Sequence, residues 1–328
     1  MSSLARRWPG HEAADQCATA APSAALLARV HLAYLWRHRR VLHLREPTRF
    51  TELIQWRKLY DRDPRLPGLI DKVAVKAFVG DRIGKEWVTP TLWHGHRLPA
   101  RPPWSGPVVV KSRHGCNQRR FILHPSQWYD ARCAGERWVN RSYGRWLAEW
   151  GYADVPRGLL VEPYLGKGEV LPVDYKLYVF HGSVAAIQVH LDRATRHRWV
   201  LLDPRWRPLT GRGQVPLRPR SLDAMIAAAE ELAEDFAFVR TDFYATDPHP
   251  RFGEMTFYPG SGLDPFSSAA IDQWLCRLWL NDFREEPSLC LSALDHLADR
   301  SRSVRAASIR RRSAERMSDC GKLFSCGD

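Results

Sequence analysis

Asp242 and Glu254 stand in two short apolar runs, Val239-Arg240-Thr241-Asp242-Phe243-Tyr244 and Phe252-Gly253-Glu254-Met255-Thr256-Phe257. Asp-Pro-His-Pro at 247–250 separates the runs and predicts a turn between two antiparallel strands. A carboxylate flanked by bulky apolar residues is costly unless it is paired or holds a cation. Two of them on adjacent strands suit Mg²⁺, a hard ion that prefers oxygen ligands. That chemistry points to phosphate handling and to an enzyme.

Residues upstream add to it. Lys111 ends the apolar run Val108-Val109-Val110 and precedes the polar loop Ser112-Arg113-His114-Gly115-Cys116-Asn117-Gln118. A lysine there can meet phosphate oxygens as a point charge, and backbone N–H groups around Gly115 can cradle them. The plainer reading is a lysine snorkelling from a strand end. The segment is no P-loop, because it lacks G-x-x-x-x-G-K-[ST]. Glu162, followed by Pro163 and Tyr164, closes a strand at a turn whose backbone can bond an adenine; an ordinary strand end looks the same. Asp174 and Lys176 alternate with apolar residues and share one strand face. They form either a salt bridge or a site for ribose hydroxyls and a phosphate. Arg240 and Asp242 share a face in the same way, as a buried pair or as a fixed cation beside a metal ligand. Glu254 favours the second option by adding another carboxylate.

The elements that must position these residues follow from hydrophobic period and breakers. Helices are expected over 24–44, over 51–60 with Thr51 as N-cap, and over 71–80 with Gly80 as the stop. Strands are expected at 108–111, 121–123, 159–165, 174–180 and 184–191, with a hairpin at His181-Gly182 and an edge strand at 199–202. The Trp-rich stretch 126–150 reads as helical, and as core rather than a sugar-stacking surface. Ser221 is expected to cap a helix whose apolar face is Leu222, Met225, Ile226, Ala229, Leu232, Ala233 and Phe236. Residues 271–299 read as helical, and residues after about 300 as a disordered basic tail. Runs of strands, a helix and more strands make an α+β architecture.

Composition narrows the class. The formal net charge is +13, much of it Arg in Arg37-His38-Arg39-Arg40 and in 300–316. Such runs are solvated faces or tails in the plainer reading, and attractors of an anionic polymer or membrane surface in the functional one. No nucleic-acid recognition motif accompanies them. The seven Cys show no paired C-x-x-C spacing and are odd in number, which argues against zinc and a disulfide framework and for a reducing cytoplasm. No run of about 18 apolar residues predicts a membrane span, which leaves peripheral association. Glu12 and Asp15 interrupt the Ala-rich start, so a signal peptide is a poor match.

The ordered series Lys111, Glu162, Asp174/Lys176, Asp242 and Glu254 resembles the ATP-grasp enzymes. Asp71-Lys72-Val73-Ala74-Val75-Lys76, followed by Val88-Thr89-Pro90, looks like their "DK-x-x-x-[KR]" helix and "[VI]-x-P" strand. Phe50-Thr51-Glu52-Leu53-Ile54-Gln55-Trp56-Arg57-Lys58-Leu59-Tyr60-Asp61, Asp174-Tyr175-Lys176, Arg240-Thr241-Asp242-Phe243-Tyr244 and Gly253-Glu254-Met255-Thr256-Phe257 are similar to signatures of one subfamily. These are the TupA-like ATP-grasp proteins of bacterial polysaccharide and teichuronopeptide biosynthesis. The resemblance covers residues 45–270.

It implies an ATP-grasp fold with the nucleotide between two antiparallel sheets, in a domain at 45–299 whose lid lies at about 105–170, after a helical extension at 1–44 and before a tail at 300–328. It implies ATP and Mg²⁺, with Lys111 and Gly115 at the phosphates, and Glu162 and Tyr164 at the adenine linker. Asp174 and Lys176 would meet ribose and phosphate, and Asp242 and Glu254 the metal. Arg240 and Lys176 would serve the chemical step. Two departures stand out: Thr256 where many such ligases carry an Asn ligand, and a single Gly in the phosphate loop. The implied activity is C–N bond formation between a small carboxylate and an amine through an acylphosphate, attaching an amino acid to a cell-surface polysaccharide, an acidic glycan or its precursor. A glycosyltransferase and a non-catalytic nucleotide-binding protein remain the alternatives.

Overall fold

The computed structural model describes residues 21–191, 198–209, 215–246 and 249–281. The start of the chain, the helix expected beyond Asn281, the basic tail, Cys17, Cys290, Cys320, Cys326 and Asp247-Pro248 of the turn lie outside these residues.

Helix α1 (Ala24–His38) leads into α2 (Phe50–Tyr60), α3 (Leu66–Ile70) and α4 (Val75–Ile83). Strands β1 (Trp93–Gly95), β2 (Val108–Ser112) and β3 (Arg119–Ile122) follow, then α5 (Trp128–Val139) and β4 (Leu159–Pro163). Next come β5 (Asp174–Phe180), β6 (Ser183–Leu191), β7 (Arg198–Leu202), α6 (Leu222–Leu232), β8 (Phe238–Tyr244), β9 (Arg251–Thr256) and α7 (Ala269–Leu280).

Two antiparallel sheets result, in the orders β1-β4-β2-β3 and β7-β6-β5-β8-β9. The apolar runs of β2 and β4 sit in the middle of the smaller sheet, as their lack of alternation requires. Its core is built from Val108, Val110, Ile122, Trp128, Leu159 and Val161. The larger sheet packs α6 and the aromatic cluster of Phe50, Phe180, Phe238 and Trp279 into the main core. At its centre β5 is buried along its whole length.

Several boundaries differ from expectation. The first helix ends at His38, where Arg39 turns left-handed (φ 56°). Thr51 is no cap: its N–H and hydroxyl both bond Asp272, at 2.9 Å each, tying α2 to α7. The helix expected over 71–80 begins only at Val75, after a turn at 71–74, and stops at Gly84 (φ 106°) rather than at Gly80, which lies inside α4; the short α3 before it was not expected. Only 128–139 of the Trp-rich stretch is α-helical; Trp128 is core, whereas Trp146 is 74 % exposed. Ser221 occupies the N-cap position of α6, but its side chain makes no capping bond.

Candidate active site

Alternation along β5 and β8 puts their polar residues on one face. Register then stacks them in rows. His190, Asp174 and Tyr244 form one row; Gln188, Lys176, Asp242 and Glu254 a second; Tyr178, Arg240 and Thr256 a third. A bulge between Asp242 and Phe243 leaves Gly253 as the extra residue of β9. A Cβ at Gly253 would lie 3.0 Å from the Asp242 carbonyl oxygen, so glycine lets the bulge close.

The carboxylates converge. One guanidinium nitrogen, Nη2 of Arg240, lies 2.8 Å from Asp242 Oδ2, 3.7 Å from Glu254 Oε1 and 3.1 Å from Thr256 Oγ1. Arg240 Nε donates to Asp242 Oδ1 at 2.7 Å, completing a bidentate fork. Lys176 Nζ contacts Asp242 Oδ2 and sits 2.9 Å from Asp174 Oδ2. Burial lowers Arg240 and Lys176, but Asp242 and the other acidic neighbours together outweigh it, and both end above their usual values. Burial raises the Asp242 carboxyl, while Arg240 and Lys176 pull it down. Burial also raises Glu254, yet Lys72, Lys176 and Arg240 together hold it below the usual carboxylate range.

On the smaller sheet, Lys111 Nζ and Lys76 Nζ grip the two oxygens of buried Glu162 at 2.6 and 2.5 Å. Burial lowers Lys111, and Glu162, with Tyr244 and Glu254, more than restores it. Tyr164 donates its N–H to the Pro107 carbonyl (3.1 Å) and its hydroxyl to the Val170 carbonyl (3.0 Å), so its ring is what it offers a ligand. The loop after Lys111 is fixed from three sides. Arg113 forks onto Asp71 at 2.6 and 2.5 Å, and Lys72 Nζ bonds the Gly115 carbonyl at 2.6 Å. His114 accepts the Gly158 N–H at Nδ1, which puts its proton on Nε2, facing the carbonyls of Trp138 and Arg141.

One cavity of about 1500 Å³ joins the sheets; Lys72, Lys111, Gly115, Asp174, Lys176, Arg240, Asp242, Tyr244 and Glu254 all line it. A smaller apolar cleft between Val109, Phe121, Glu162, Pro163, Tyr164 and Leu165 adjoins it, sharing Lys111 and Tyr244. Asp242 and Glu254 fit a Mg²⁺ ion that takes its other oxygens from phosphates and water, since Mg²⁺ is commonly held by one or two carboxylates. Among the described residues no group of three or more His, Cys, Asp and Glu could hold a metal by itself. Glu254, 31 % exposed in its side chain, is the readier of the two.

The description "TupA-like ATPgrasp" belongs to the family model that matches residues 52–280. The chain belongs to this family. Its two antiparallel sheets with flanking helices are the ATP-grasp α+β fold. Solved structures similar to it include the D-alanine–D-alanine ligase of Bacillus anthracis complexed with ATP, 14% identical over 66% of this chain and 64% of that one, TM-score 0.40. The D-alanine–D-alanine ligase of Helicobacter pylori is 13% identical over 67% and 60%, TM-score 0.41. The ATP-grasp ligase PsnB with minimal precursor, Mg and ADP is 14% identical over 70% and 66%, TM-score 0.36. The chain thus spans 64% and 60% of the length of the two D-alanine ligases. No curated protein matches it.

The TupA-like match begins after α1, yet α1 lines the cavity through Arg29, Trp36 and Arg37. Lys72, Lys58, Glu149 and Ser261 also line this cavity, a placement not expected from the sequence. Lys58 carried a signal, a lysine on a helix otherwise rich in apolar residues. Glu149 carried none, because its burial depends on segments distant in sequence.

Proposed function

We propose that this TupA-like ATP-grasp protein is an ATP- and Mg²⁺-dependent carboxylate–amine ligase acting through an acylphosphate. The observation that supports this reading best is the shared cavity. Lys111 and Lys72 reach it from one side, and Lys176, Arg240, Asp242 and Glu254 from the other. Such a ring of fixed cations beside a carboxylate pair suits a polyphosphate with a bound cation. The adenine goes into the apolar cleft beside Glu162-Pro163-Tyr164, with the smaller sheet as lid. Glu162 serves indirectly, as the anion that orients Lys111 and Lys76.

Asp242 and Glu254 would hold Mg²⁺, which would supply charge neutralisation at the phosphates. Lys111 and Lys72 hold the phosphate chain in line for transfer to a substrate carboxylate. Arg240, fixed by Asp242, meets the negative charge that develops on the reacting carboxyl. Thr256, bonded to Arg240 and 3.4 Å from Glu254 Oε1, orients both rather than acting as a strong ligand. A volume above the roughly 300–1000 Å³ of an ordinary ligand pocket leaves room for a second substrate such as a glycan end or its precursor.

The test is phosphate release from Mg·ATP in the presence of glucuronate or galacturonate paired with each common amino acid, with products read by mass spectrometry. An ATP-dependent amide supports the reading. No release above background and no amide with any pair would overturn it.

A further inference from the structure

The same cavity has a further polar stretch of wall, here termed the chamber, whose residues have no part in the phosphate steps. Its wall holds Gln55 and Lys58 of α2 together with Tyr143, Glu149, Tyr152 and Ser261. Lys58, Glu149 and Ser261 are 2 %, 4 % and 8 % exposed. Buried groups of this kind are costly and need partners. Lys58 Nζ donates to the Ser261 carbonyl at 3.0 Å and to Ser261 Oγ at 3.2 Å. Glu149 lines the same cavity, and both Lys58 and the Ser261 hydroxyl favour its carboxylate form. Ser261 therefore ties a buried cation to a wall that also carries a buried anion.

The loop is bent to put it there. Ser261 has φ 57°, between Gly260 at 53° and Gly262 at 63°. A non-glycine residue is strained in this region. Gln55 Nε2 offsets that by bonding the carbonyls of Ser261 and Gly262 at 2.9 and 3.0 Å. The chamber also lies next to the reacting centre. Cys116, Tyr143 and Tyr152 each feel the charge of both Glu149 and Glu254, so the two carboxylates flank one small cluster.

We propose that this chamber is the amine subsite, in which Glu149, positioned by Ser261 and Lys58, holds the ammonium of the attacking amine and takes its proton. The inference rests on the ligase reading above. An α-amino acid suits it, because its zwitterion matches the pair: ammonium to Glu149, carboxylate to Lys58. The amine enters protonated and gives one proton to Glu149, which frees the nitrogen lone pair. Nitrogen attacks the acylphosphate carbon; the C–N bond forms and the C–O bond to phosphate breaks. The second nitrogen proton leaves with the phosphate as hydrogen phosphate, and Glu149 returns its proton to water.

Burial raises the Glu149 carboxyl to about 7, against the lowering pull of Lys58 and Ser261. Burial lowers Lys58 to about 8, helped by Arg29 and opposed by Glu149. A carboxylate near neutrality is matched to proton transfer at working pH. Burial raises the Cys116 thiol and the Tyr143 and Tyr152 phenols, so these neighbours stay neutral there.

Hydroxylamine separates the two half-reactions, because it is neutral at pH 7 and traps acylphosphates as hydroxamates without a protein base. The wild-type full chain is given Mg·ATP, the uronic acid that supports phosphate release, and either hydroxylamine or the productive amino acid. Glu149→Gln is expected to form hydroxamate at nearly the wild-type rate and to lose amide formation by about 100-fold or more. That loss should shrink at alkaline pH, where free amine is abundant. Equal loss of both products, or loss of neither, overturns the proposal. If Glu149→Gln fails to fold by circular dichroism, Ser261→Ala decides: amide loss beyond hydroxamate loss supports the subsite, and equal loss overturns it. Absence of hydroxamate from the wild-type chain with every uronic acid is a different outcome; it sinks the ligase reading and this inference with it.

Discussion

Lys111 on β2 and each charged side chain on the cavity face of β5 and β8 have a partner of opposite sign, and this decides what their removal does. Lys111 is held by Glu162, which keeps Lys76 as a second cation. Lys111→Ala therefore leaves no orphan carboxylate, and the fold should survive. Loss of a charge-assisted phosphate contact, about 1.5–3 kcal/mol, should weaken Mg·ATP by roughly tenfold to a hundredfold in calorimetry. Unchanged affinity would refute the phosphate role. Arg240 is different, because its fork is already closed on Asp242. In Arg240→Ala, Asp242 keeps Lys176, so nucleotide affinity should hold while turnover drops on the order of 100- to 1000-fold. Arg240→Lys should restore little, because an ammonium cannot make the bidentate fork that also reaches Thr256. Intact turnover in Arg240→Ala would reduce the residue to a structural partner of Asp242.

Elements hold these residues still, and two anchors do most of that. Helix α2 is pinned by Arg57, whose guanidinium stacks 4.3 Å from the Trp279 ring and donates to the carbonyls of Phe238 and Phe257. Arg57→Met leaves those buried carbonyls without a donor and should cost about 2–3 kcal/mol, seen as a lower denaturant midpoint at unchanged slope. The loop after Lys111 is pinned by neutral His114, whose proton affinity burial lowers below the usual histidine value. Unfolded chain thus binds a proton that the fold refuses, and stability falls as pH drops through the ordinary histidine range. Comparing melting temperatures between about pH 8 and pH 5, the drop should be smaller in His114→Asn than in the wild type; an equal drop would clear His114. Neither anchor was legible in the sequence. Strands were, because β2 and β4 are unbroken apolar runs and β5 and β8 alternate. Helix ends were not: Gly84 stops α4 through a left-handed φ that Gly80 lacks, and Thr51 spends its hydroxyl on Asp272, far away in sequence. The placement of Asp174, Lys176, Arg240, Asp242 and Glu254 on one face follows from period and register, whereas Lys58, Glu149 and Ser261 meet only through folding.

At the scale of the whole molecule, the two sheets share one cavity, so a ligand touching both couples their stabilities. Lys111 and Lys72 approach from the smaller-sheet side, and Asp242 and Glu254 belong to the larger sheet. A nucleotide that bridges them binds the folded chain and not the unfolded one, and stabilises by about 2.7 kcal/mol at a hundredfold excess over its Kd. Mg·ATP should therefore raise the melting temperature. Mg·UDP-glucose should raise it far less, because the apolar cleft beside Glu162-Pro163-Tyr164 offers a purine ring its flat walls but nothing built for a sugar. A larger shift with the UDP-sugar would favour a glycosyltransferase. The metal term can be isolated in the same experiment. Glu254→Gln keeps size and hydrogen bonding but removes the more exposed carboxylate. The Mg²⁺-dependent part of the ATP shift should shrink in this variant, while the shift with ATP and excess chelator stays as in the wild type. If the Mg²⁺ dependence is untouched, Glu254 is no metal ligand, and the carboxylate pair must serve Arg240 and Lys176 alone.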